Sequence, residues 1–472
     1  MLDEVLNKID DVVWGIPTIV LILITGIILT IRSRGIQFTK LLLAVRLIFK
    51  KNDAEGELSG FSALCTALSA TIGTGNIVGV ATAIVAGGPG ALFWMWIAAI
   101  FGTATKFSEC MLAIKYRDIK EDGHVLGGPF LTIEKGMGKR WKWLSFLFSI
   151  FGVMAGLLGI GTMSQINGIT SAIDMAFSEQ KMNVAFSIGE KSYTWATVIG
   201  GIIVTVLAAL VILGGLKRIS KVAQSVVPTM AIIYVLLGIA VLVINIVHIP
   251  HAFLSIFKSA FGYKAIQGGA VGWTVKQVTE SMQKGIARGI FSNEAGLGSA
   301  PIAAASVQTE EPVEQGLVNM TGTVIDTLIV CTITGLAIVI ALDDPKFEIG
   351  DLTGAKLTST AFSFVLGIDN SAIKFIIMVC LAFFAFTTIL GWDYYSEKCL
   401  EYITNGRMKL VFIYRLIYIV FIAIGPYFTV DAVFTIADIT NGLMAIPNCI
   451  SLIVLSGVMA NEVKTYFATI KN

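Results

Sequence analysis

Long apolar runs alternate with short polar segments along the whole chain. Most of the runs are continuous over about 20 residues, the length that crosses a bilayer as an α-helix. They do not show the two-residue alternation of membrane β-barrel strands. Trp143 to Ile173 is typical and predicts one unbroken span. The pattern predicts an all-α polytopic membrane protein with about eleven spans.

Two of the runs are interrupted by small and polar residues. The first, from Phe61 to Val85, contains TIGTGNIVG at residues 71–79, and the second contains GIFSNEAGLGSAP at residues 289–301. Glycine costs about 1 kcal/mol per helical position relative to alanine, and every backbone amide in a bilayer needs a partner. We therefore expect two broken helices. The second should end at Pro301, because proline has no N–H to continue the helix.

Basic residues between the runs orient the spans. Lysine and arginine concentrate at Arg32–Lys51, Lys115–Lys142 and Lys217–Lys221. The positive-inside rule assigns these segments to the cytoplasm, which places the N-terminus outside and the C-terminus inside. The two broken helices then enter from opposite sides and each opens a block of five spans. That arrangement predicts a 5+5 inverted repeat.

The chain divides into three predicted parts. Residues 1–51 form an N-terminal transmembrane helix and a surface amphipathic helix, residues 52–247 the first five-helix repeat, and residues 248–472 an outer segment with the second repeat. The amphipathic helix, Ile36 to Phe49, has basic residues between its apolar positions, as expected at the inner membrane surface.

Composition excludes several classes of protein. The chain is 55% hydrophobic and 14% charged, which is too apolar for a soluble globular protein. A net charge of +2 and the lack of a basic stripe exclude a nucleic-acid partner and leave membrane lipid as the surroundings. The six cysteines have no paired spacing, and no nucleophile lies beside a base. We expect neither an enzyme nor a cofactor.

Opening a helix exposes carbonyl and N–H groups at the ends of two half-dipoles. A zwitterionic amino acid can place its carboxylate on such amides and its ammonium group on such carbonyls. For Gly75 and Gly79 the alternative is a GxxxG helix-packing face. The candidate substrate contacts at the two breaks are Thr74, Gly75, Asn76, Gly79, Phe291, Ser292, Asn293 and Gly296.

Two adjacent hydroxyls in a later span are suited to a hard cation. Thr387 and Thr388, with carbonyl oxygens of Gly75 and Val78, would supply oxygen ligands to Na⁺. The alternative is that each hydroxyl bonds back to its own helix.

Two further residues are candidates for the substrate pocket. Trp392 lies one helical turn after Thr388 and would shorten the cavity. Gln165 is polar within an apolar span, and it serves either as a substrate contact or as an interhelical hydrogen-bond partner.

Four of the ionisable residues within predicted spans have a predicted role. Glu294 either assists a proton or ion step or holds the second break open by accepting hydrogen bonds. Asp326 is expected to be a structural partner of a broken helix. Lys106 and Glu109 are three residues apart and are expected to pair with each other.

Residues 73–80, GTGNIVGV, and residues 291–301, FSNEAGLGSAP, resemble the alanine or glycine:cation symporter family, whose members have a LeuT-like core. The resemblance implies Na⁺-driven uptake of small neutral amino acids, alanine and glycine, across the plasma membrane by alternating access. It also implies that Gly75, Val78, Thr387 and Thr388 form the sodium site. Phe384 departs from the family pattern and offers the ion only its carbonyl.

Two alternative functions remain open at this point. The first is an amino-acid transporter of the same fold that is coupled to protons through Glu294 or Asp326. The second is a channel or receptor built from a similar bundle of helices. The sequence leaves open the exact substrate, the chirality, the ion stoichiometry and the oligomeric state.

Overall fold

Helices form nearly all of the regular structure. The computed structural model describes residues 2–50, 57–121, 123–177, 184–188, 191–262, 271–350, 352–368 and 370–469. Within those ranges nine helices are long and apolar enough to cross a membrane, and a bent pair, Gly60–Thr71 with Gly75–Gly87, adds a tenth span. The remaining predicted span is the second interrupted run, whose helix carries several charged residues. The predicted polytopic helical class is confirmed.

The N-terminal part contains four helices, two more than predicted. Its helices are α1 (Leu2–Val13), α2 (Ile16–Arg32), α3 (Ile36–Thr39) and α4 (Leu41–Leu47). The predicted amphipathic helix is therefore two short helices separated at Lys40. Phe38, Leu42 and Phe49 of this segment are exposed apolar side chains, which suits a membrane surface.

The first half of the core follows the predicted order of spans, with one additional interruption. Its helices are α5 (Gly60–Thr71), a π-helical turn (Gly75–Gly79) that continues into α6 (Val80–Gly87), α7 (Gly90–Tyr116), α8 (Pro129–Leu131), α9 (Lys142–Leu158), α10 (Met163–Phe177), α11 (Trp195–Ile212) and α12 (Gly215–Ile244). Two antiparallel hairpins occur in the loops, β1 (Asp118–Ile119) with β2 (Val125–Leu126) and β3 (Val184–Ile188) with β4 (Lys191–Thr194).

The span predicted as unbroken from Trp143 to Ile173 is interrupted between α9 and α10. Gly161 lies at this interruption, and a Cβ there would be 2.7 Å from the Cβ of Trp392. The close approach of a second helix at this point requires a glycine, which the hydropathy pattern could not reveal.

The second half also keeps the predicted order. Its helices are α13 (Ile249–Ala260), α14 (Val271–Asn293), α15 (Ala300–Ala304), α16 (Pro312–Thr323), a π-helical segment (Val324–Cys331), α17 (Thr332–Asp343), α18 (Gly354–Leu366), α19 (Asn370–Ile403), α20 (Met408–Ile424) and α21 (Val430–Thr469).

Pro301 does not end the second interrupted run as predicted. It lies at the start of α15, where backbone N–H groups have no acceptor within the helix, so proline costs no hydrogen bond there. The outer helix α18 was also not predicted.

Packing separates a central set of helices from a lipid-facing set. Large apolar side chains are exposed along α11, α12 and α20, as expected for surfaces against lipid; examples are Ile202, Leu236 and Val420. Residues of the two interrupted runs are buried, among them Asn76 and Ser292. The breaks therefore lie inside the bundle. The division into two repeats and the orientation of the termini stay predictions.

Candidate functional site

Side chains replace the missing helical partners at the first break. After α5, Ile72 adopts an extended backbone, with φ −79° and ψ 98°. The N–H of Gly73 donates to the Oδ1 of Asn76 at 2.9 Å, and the N–H of Thr74 donates to the Oε1 of Gln165 at 3.1 Å. Gln165 is thus an interhelical partner of the break, consistent with one of its two predicted roles.

The second break uses a left-handed turn. Glu294 has a φ of 57°, and Gly296 has a φ of 95°, a conformation that glycine adopts without strain. The N–H of Ala295 donates to the Oδ1 of Asn293 at 2.9 Å. In a continuous helix the N–H of Ala295 would donate to the carbonyl of Phe291. Because it donates to Asn293 instead, the Phe291 carbonyl does not receive this helical hydrogen bond.

One carboxylate joins the two breaks. Asp326, in the π-helical segment before α17, is fully buried. It accepts hydrogen bonds from the Nδ2 of Asn76 at 2.6 Å, the Oγ of Ser292 at 2.9 Å and the Oγ1 of Thr327 at 2.7 Å. The Nδ2 of Asn293 donates to the Oγ1 of Thr327 at 3.0 Å. Asp326 is therefore positioned as the structural partner that the sequence predicted.

Glu294 ties α19 to the second break. Its Oε2 accepts from the Oγ of Ser299 at 2.6 Å, and its Oε1 accepts from the Nε1 of Trp392 at 2.6 Å. Both oxygens of the carboxylate have a donor, which supports the predicted role of holding the break open. These contacts also fix the ring of Trp392 beside the break.

Lys106 and Glu109 do not bond to each other as predicted. The Nζ of Lys106 donates to the carbonyl of Asn293 at 2.8 Å, and the Oε2 of Glu109 accepts from the Nδ2 of Asn448 at 2.8 Å. Both side chains are fully buried on α7, and the second break and α21 provide nearer partners than the helix itself.

The hydroxyl of Thr388 lies among carbonyl oxygens of α5 rather than those predicted. Its Oγ1 is 3.0 Å from the carbonyl oxygen of Ser69, 3.3 Å from that of Ile72 and 3.0 Å from that of Phe384. Gly75 is not among these partners, since its carbonyl accepts the N–H of Val80 in the π-helical turn.

The other two predicted sodium ligands, Val78 and Thr387, have side chains that contact other groups. The side chain of Val78 is next to Gly354 at the start of α18. The Oγ1 of Thr387 donates to the carbonyls of Phe383 and Phe384 at 3.1 and 3.0 Å, so it bonds back to its own helix. The carbonyls that approach the Thr388 hydroxyl from the first break are thus those of Ser69 and Ile72, six residues before Gly75 and Val78, because α5 ends before the break and leaves carbonyls open. The set of sodium ligands stays a prediction.

Gly75 and Gly79 do not form a shared packing face. A Cβ on Gly75 would lie 3.1 Å from the Cα of Ser292 and 3.2 Å from the Cδ1 of Phe291, so this glycine permits close contact with α14. A Cβ on Gly79 would meet nothing nearer than 4.0 Å. Gly296 also lies apart from the first break, with its carbonyl bonded to Asn448 at 2.9 Å.

Thr74 has an unused hydroxyl at the first break. Its Oγ1 is fully buried and has no hydrogen-bond partner among the described residues. Gly168 of α10 makes room for this side chain, because a Cβ there would lie 2.5 Å from the Cγ2 of Thr74. Gly168 was not predicted, because its role depends on the packing of two separate helices.

Aromatic rings and an ion pair close the bundle on the predicted outer side. Arg288 of α14 binds Asp438 of α21 through two contacts, with Nη1–Oδ1 3.0 Å and Nη2–Oδ2 2.8 Å. Phe291 and Phe434 stack with centroids 5.9 Å apart, and the guanidinium of Arg288 lies 5.4 and 5.6 Å from them. The sequence analysis missed this group, although an arginine within an apolar run was a usable signal.

A polar cluster lies at the predicted cytoplasmic side. The Nε2 of His124 is 2.8 Å from the Oε1 of Glu401, and the Nζ of Lys398 is 3.2 Å from its Oε2. These three side chains and Glu57 line a cavity of about 190 Å³. Only the tertiary structure brings this loop histidine to the end of α19.

The chain resembles transporters over its whole length. A model of the sodium:alanine symporter family matches residues 1–472. An uncharacterized transporter of Haemophilus influenzae is 48% identical over 100% of this chain and 97% of the relative. The sodium/alanine symporter AgcS of Methanococcus maripaludis is 43% identical over 99% of this chain and 98% of the relative.

Solved structures support the fold. MhsT in complex with L-phenylalanine superposes with a TM-score of 0.54 at 14% identity, covering 87% of this chain and 99% of MhsT. At that identity the likeness concerns the fold alone. It confirms the predicted LeuT-like architecture.

Proposed function

Because this chain belongs to the sodium:alanine symporter family, we propose that it carries small neutral amino acids, alanine and glycine first, into the cell together with Na⁺ by alternating access. The family is one of transporters, and membership supports sodium-coupled amino-acid symport. The observation that carries the proposal is the pair of broken helices joined through the Asp326 carboxylate. Broken helices held together inside a bundle are where transporters of this kind bind substrate.

The substrate zwitterion has complementary groups on the two breaks. Its carboxylate binds the unused hydroxyl of Thr74 and backbone amides at the start of the π-helical turn that follows it, where the half-dipole of the following helix favours negative charge. Its ammonium group binds the carbonyl of Phe291, which the Asn293 side chain releases from the helical ladder. The ring of Trp392, held by Glu294, leaves space for a small side chain only.

We assign the coupling ion to the oxygen cluster around Thr388. The carbonyls of Ser69, Ile72 and Phe384 all lie within 3.3 Å of its hydroxyl. Hard cations take oxygen ligands, which these four groups supply. Thr387 joins them by rotating its hydroxyl away from its own helix.

The ion and the substrate share one structural element. Ile72 is an ion ligand, and Thr74, two residues later, is a substrate ligand. Each ligand therefore stabilises the same arrangement of the first break, which makes their binding mutually favourable. One Na⁺ moving inward across ~100 mV supplies ~2.3 kcal/mol, and a tenfold gradient adds ~1.4 kcal/mol.

The two closures found in the structure act as alternating gates. The outer gate consists of the Arg288–Asp438 pair with the rings of Phe291 and Phe434. The inner gate includes the contact between His124, in the loop between β1 and β2, and Glu401 at the end of α19. Opening one while the other stays closed exposes the site to one side of the plasma membrane at a time, with the N-terminus outside and the C-terminus in the cytoplasm.

Proton coupling is the second candidate, and the hydrogen bonds argue against it. Both oxygens of Glu294 accept a donor, and Asp326 accepts three. Carboxylates surrounded by donors are stabilised in the ionised form. These two residues are therefore better suited to hold the breaks than to carry a proton.

Uptake of labelled alanine into proteoliposomes tests the proposal. An inward Na⁺ gradient is expected to drive accumulation, and replacing external Na⁺ with choline should abolish it. A protonophore should leave Na⁺-driven uptake unchanged. Uptake that survives in choline and collapses with the protonophore would indicate proton coupling. Labelled alanine should also exchange with unlabelled alanine, whereas a channel would not show such exchange.

A further inference from the structure

Asn441 on α21 is a buried amide that nothing in the protein satisfies. It is fully buried, and neither its Oδ1 nor its Nδ2 has a hydrogen-bond partner among the described residues. Other buried amides of the described chain leave one end unpaired, such as Asn167, but Asn441 alone leaves both. Buried polar groups are nearly always paired, so an exception of this kind calls for an explanation.

The position of Asn441 on α21 places it just inside the outer gate. Residues three and seven positions apart share one face of a helix. Asp438, three residues earlier, binds Arg288 of α14, and Phe434, seven residues earlier, stacks on Phe291. Asn441 therefore shares the face of α21 that meets α14, one turn deeper than the Arg288–Asp438 pair.

Residues of α21 before and after Asn441 contact two other interrupted segments of the chain. Asn448, seven residues later, donates to the carbonyl of Gly296 in the second break at 2.9 Å. Ala437, four residues earlier, lies against Gly159 at the interruption between α9 and α10, with its Cα 3.1 Å from the position of a Cβ on that glycine. Asn441 is thus on the strip of α21 between two breaks.

We propose that the carboxamide of Asn441 binds the transported amino acid, with its Nδ2 donating to the substrate carboxylate and its Oδ1 accepting from the ammonium group. A primary amide offers both a donor and an acceptor, which matches the two ends of a zwitterion. It carries no charge, so it favours neutral amino acids over acidic or basic ones. The inference rests on the proposed function, because it assumes an amino-acid substrate. Asn441 is the first polar contact for a substrate that passes the opened Arg288–Asp438 pair, before its carboxylate reaches Thr74 and its ammonium group reaches the carbonyl of Phe291.

The test compares Asn441→Leu with a matched control in proteoliposomes that contain the full chain. Loss of hydrogen bonds to charged groups is expected to raise the KM for alanine about tenfold or more. The Na⁺ concentration for half-maximal uptake, measured at saturating alanine, should stay within about twofold. Asn441→Ser, which replaces the amide with a smaller polar group, should give an intermediate KM.

Asn319→Leu is the control variant. Asn319 on α16 is also buried, and its Oδ1 also lacks a partner, while its Nδ2 bonds the carbonyl of Gln315 within the same helix. Its KM for alanine should equal that of the wild type. An equal rise in both variants would show a general effect of removing a buried amide and would overturn the inference.

The inference and the proposed function fail in different ways. A wild-type protein without Na⁺-driven alanine uptake contradicts the proposed function. A wild type that transports, with Asn441→Leu and Asn441→Ser both at its KM, contradicts only the role of Asn441.

A labelling experiment on a different variant tests the inference if Asn441→Leu and Asn441→Ser do not fold. Asn441→Cys is treated with N-ethylmaleimide against the wild type, whose six cysteines are all buried. Saturating alanine with Na⁺ should slow labelling at least several-fold. Equal labelling with and without alanine would also overturn the inference.

Discussion

The Nδ2 of Asn76 and the Oδ1 of Asp326 are 2.6 Å apart, inside the bundle. The other oxygen of the same carboxylate accepts from the Oγ of Ser292. A single ionised group thus holds both broken helices, so movement at one break is transmitted to the other. Hydrogen bonds to an ionised acceptor are about twice as strong as neutral ones.

Replacing the charge of Asp326 should uncouple the breaks. Asp326→Asn keeps the size of the side chain but replaces hydrogen bonds to a charged acceptor, each worth about 1.5–3 kcal/mol, with neutral ones worth about 0.5–1.5 kcal/mol. We expect alanine uptake to fall about tenfold or more. Asp343→Asn, at the outer end of α17 and bonded to Ser255 and His251, is the matched control and should transport normally. Normal uptake by both variants would argue against the bridging role.

The hydroxyl of Thr388 should determine the sodium dependence. Thr388→Ala removes one of the proposed oxygen ligands, so the Na⁺ concentration for half-maximal uptake should rise about tenfold or more. Thr388→Ser should retain near-normal dependence, because it keeps the hydroxyl. Thr404 lies directly after the same helix, and its hydroxyl bonds only carbonyls of that helix, so Thr404→Ala should change nothing. An unchanged sodium dependence in Thr388→Ala would refute the proposed ion site.

Two glycines of the first break should respond differently to the same change. A Cβ on Gly73 would lie 2.6 Å from the Oγ1 of Thr388 and 3.0 Å from the Oε1 of Gln165. Gly73→Ala must displace the proposed ion ligand and should abolish uptake. Gly79→Ala has open space, with no neighbour nearer than 4.0 Å, and should retain uptake. Alanine uptake by Gly79→Ala is the measurement. Loss of uptake in this variant would support the GxxxG packing face, which requires a small residue at position 79.

Trp392 should limit the size of the substrate. Trp392→Ala removes the ring beside the second break, so larger neutral amino acids such as leucine should compete with labelled alanine. Trp392→Phe keeps an aromatic ring but loses the bond to Glu294, and we expect it to stay selective for small substrates with a lower rate of uptake. Competition assays with a series of neutral amino acids measure both effects. A Trp392→Ala protein that still excludes leucine would contradict this role.

The local pattern of residues was enough to predict which helices break. Glycine, threonine and asparagine at mid-span depth disfavour a continuous helix whatever surrounds them. The interruption between α9 and α10 was not predictable in this way, since Gly161 is required by the approach of Trp392 from a distant helix. The same holds for Lys106 and Glu109, whose partners come from other parts of the chain.

Candidate residues could be named from the sequence, but their partners could not. Thr388 was identified as an ion ligand by its chemistry, whereas its carbonyl neighbours, Ser69 and Ile72, depend on where α5 ends and how α19 packs on it. Asn441 carried no distinguishing signal, because an asparagine in a long apolar helix is informative only when its lack of partners is known.

The sequence by itself determined the membrane class, the order of the spans, the two breaks and the family, because these follow from local composition and from short motifs. Only the tertiary structure decided which groups meet across the bundle, from the Asp326 bridge to the ion pair of Arg288 and Asp438. The physical reason is that hydrogen bonds and ion pairs act over about 3 Å, and packing alone determines which distant residues come that close.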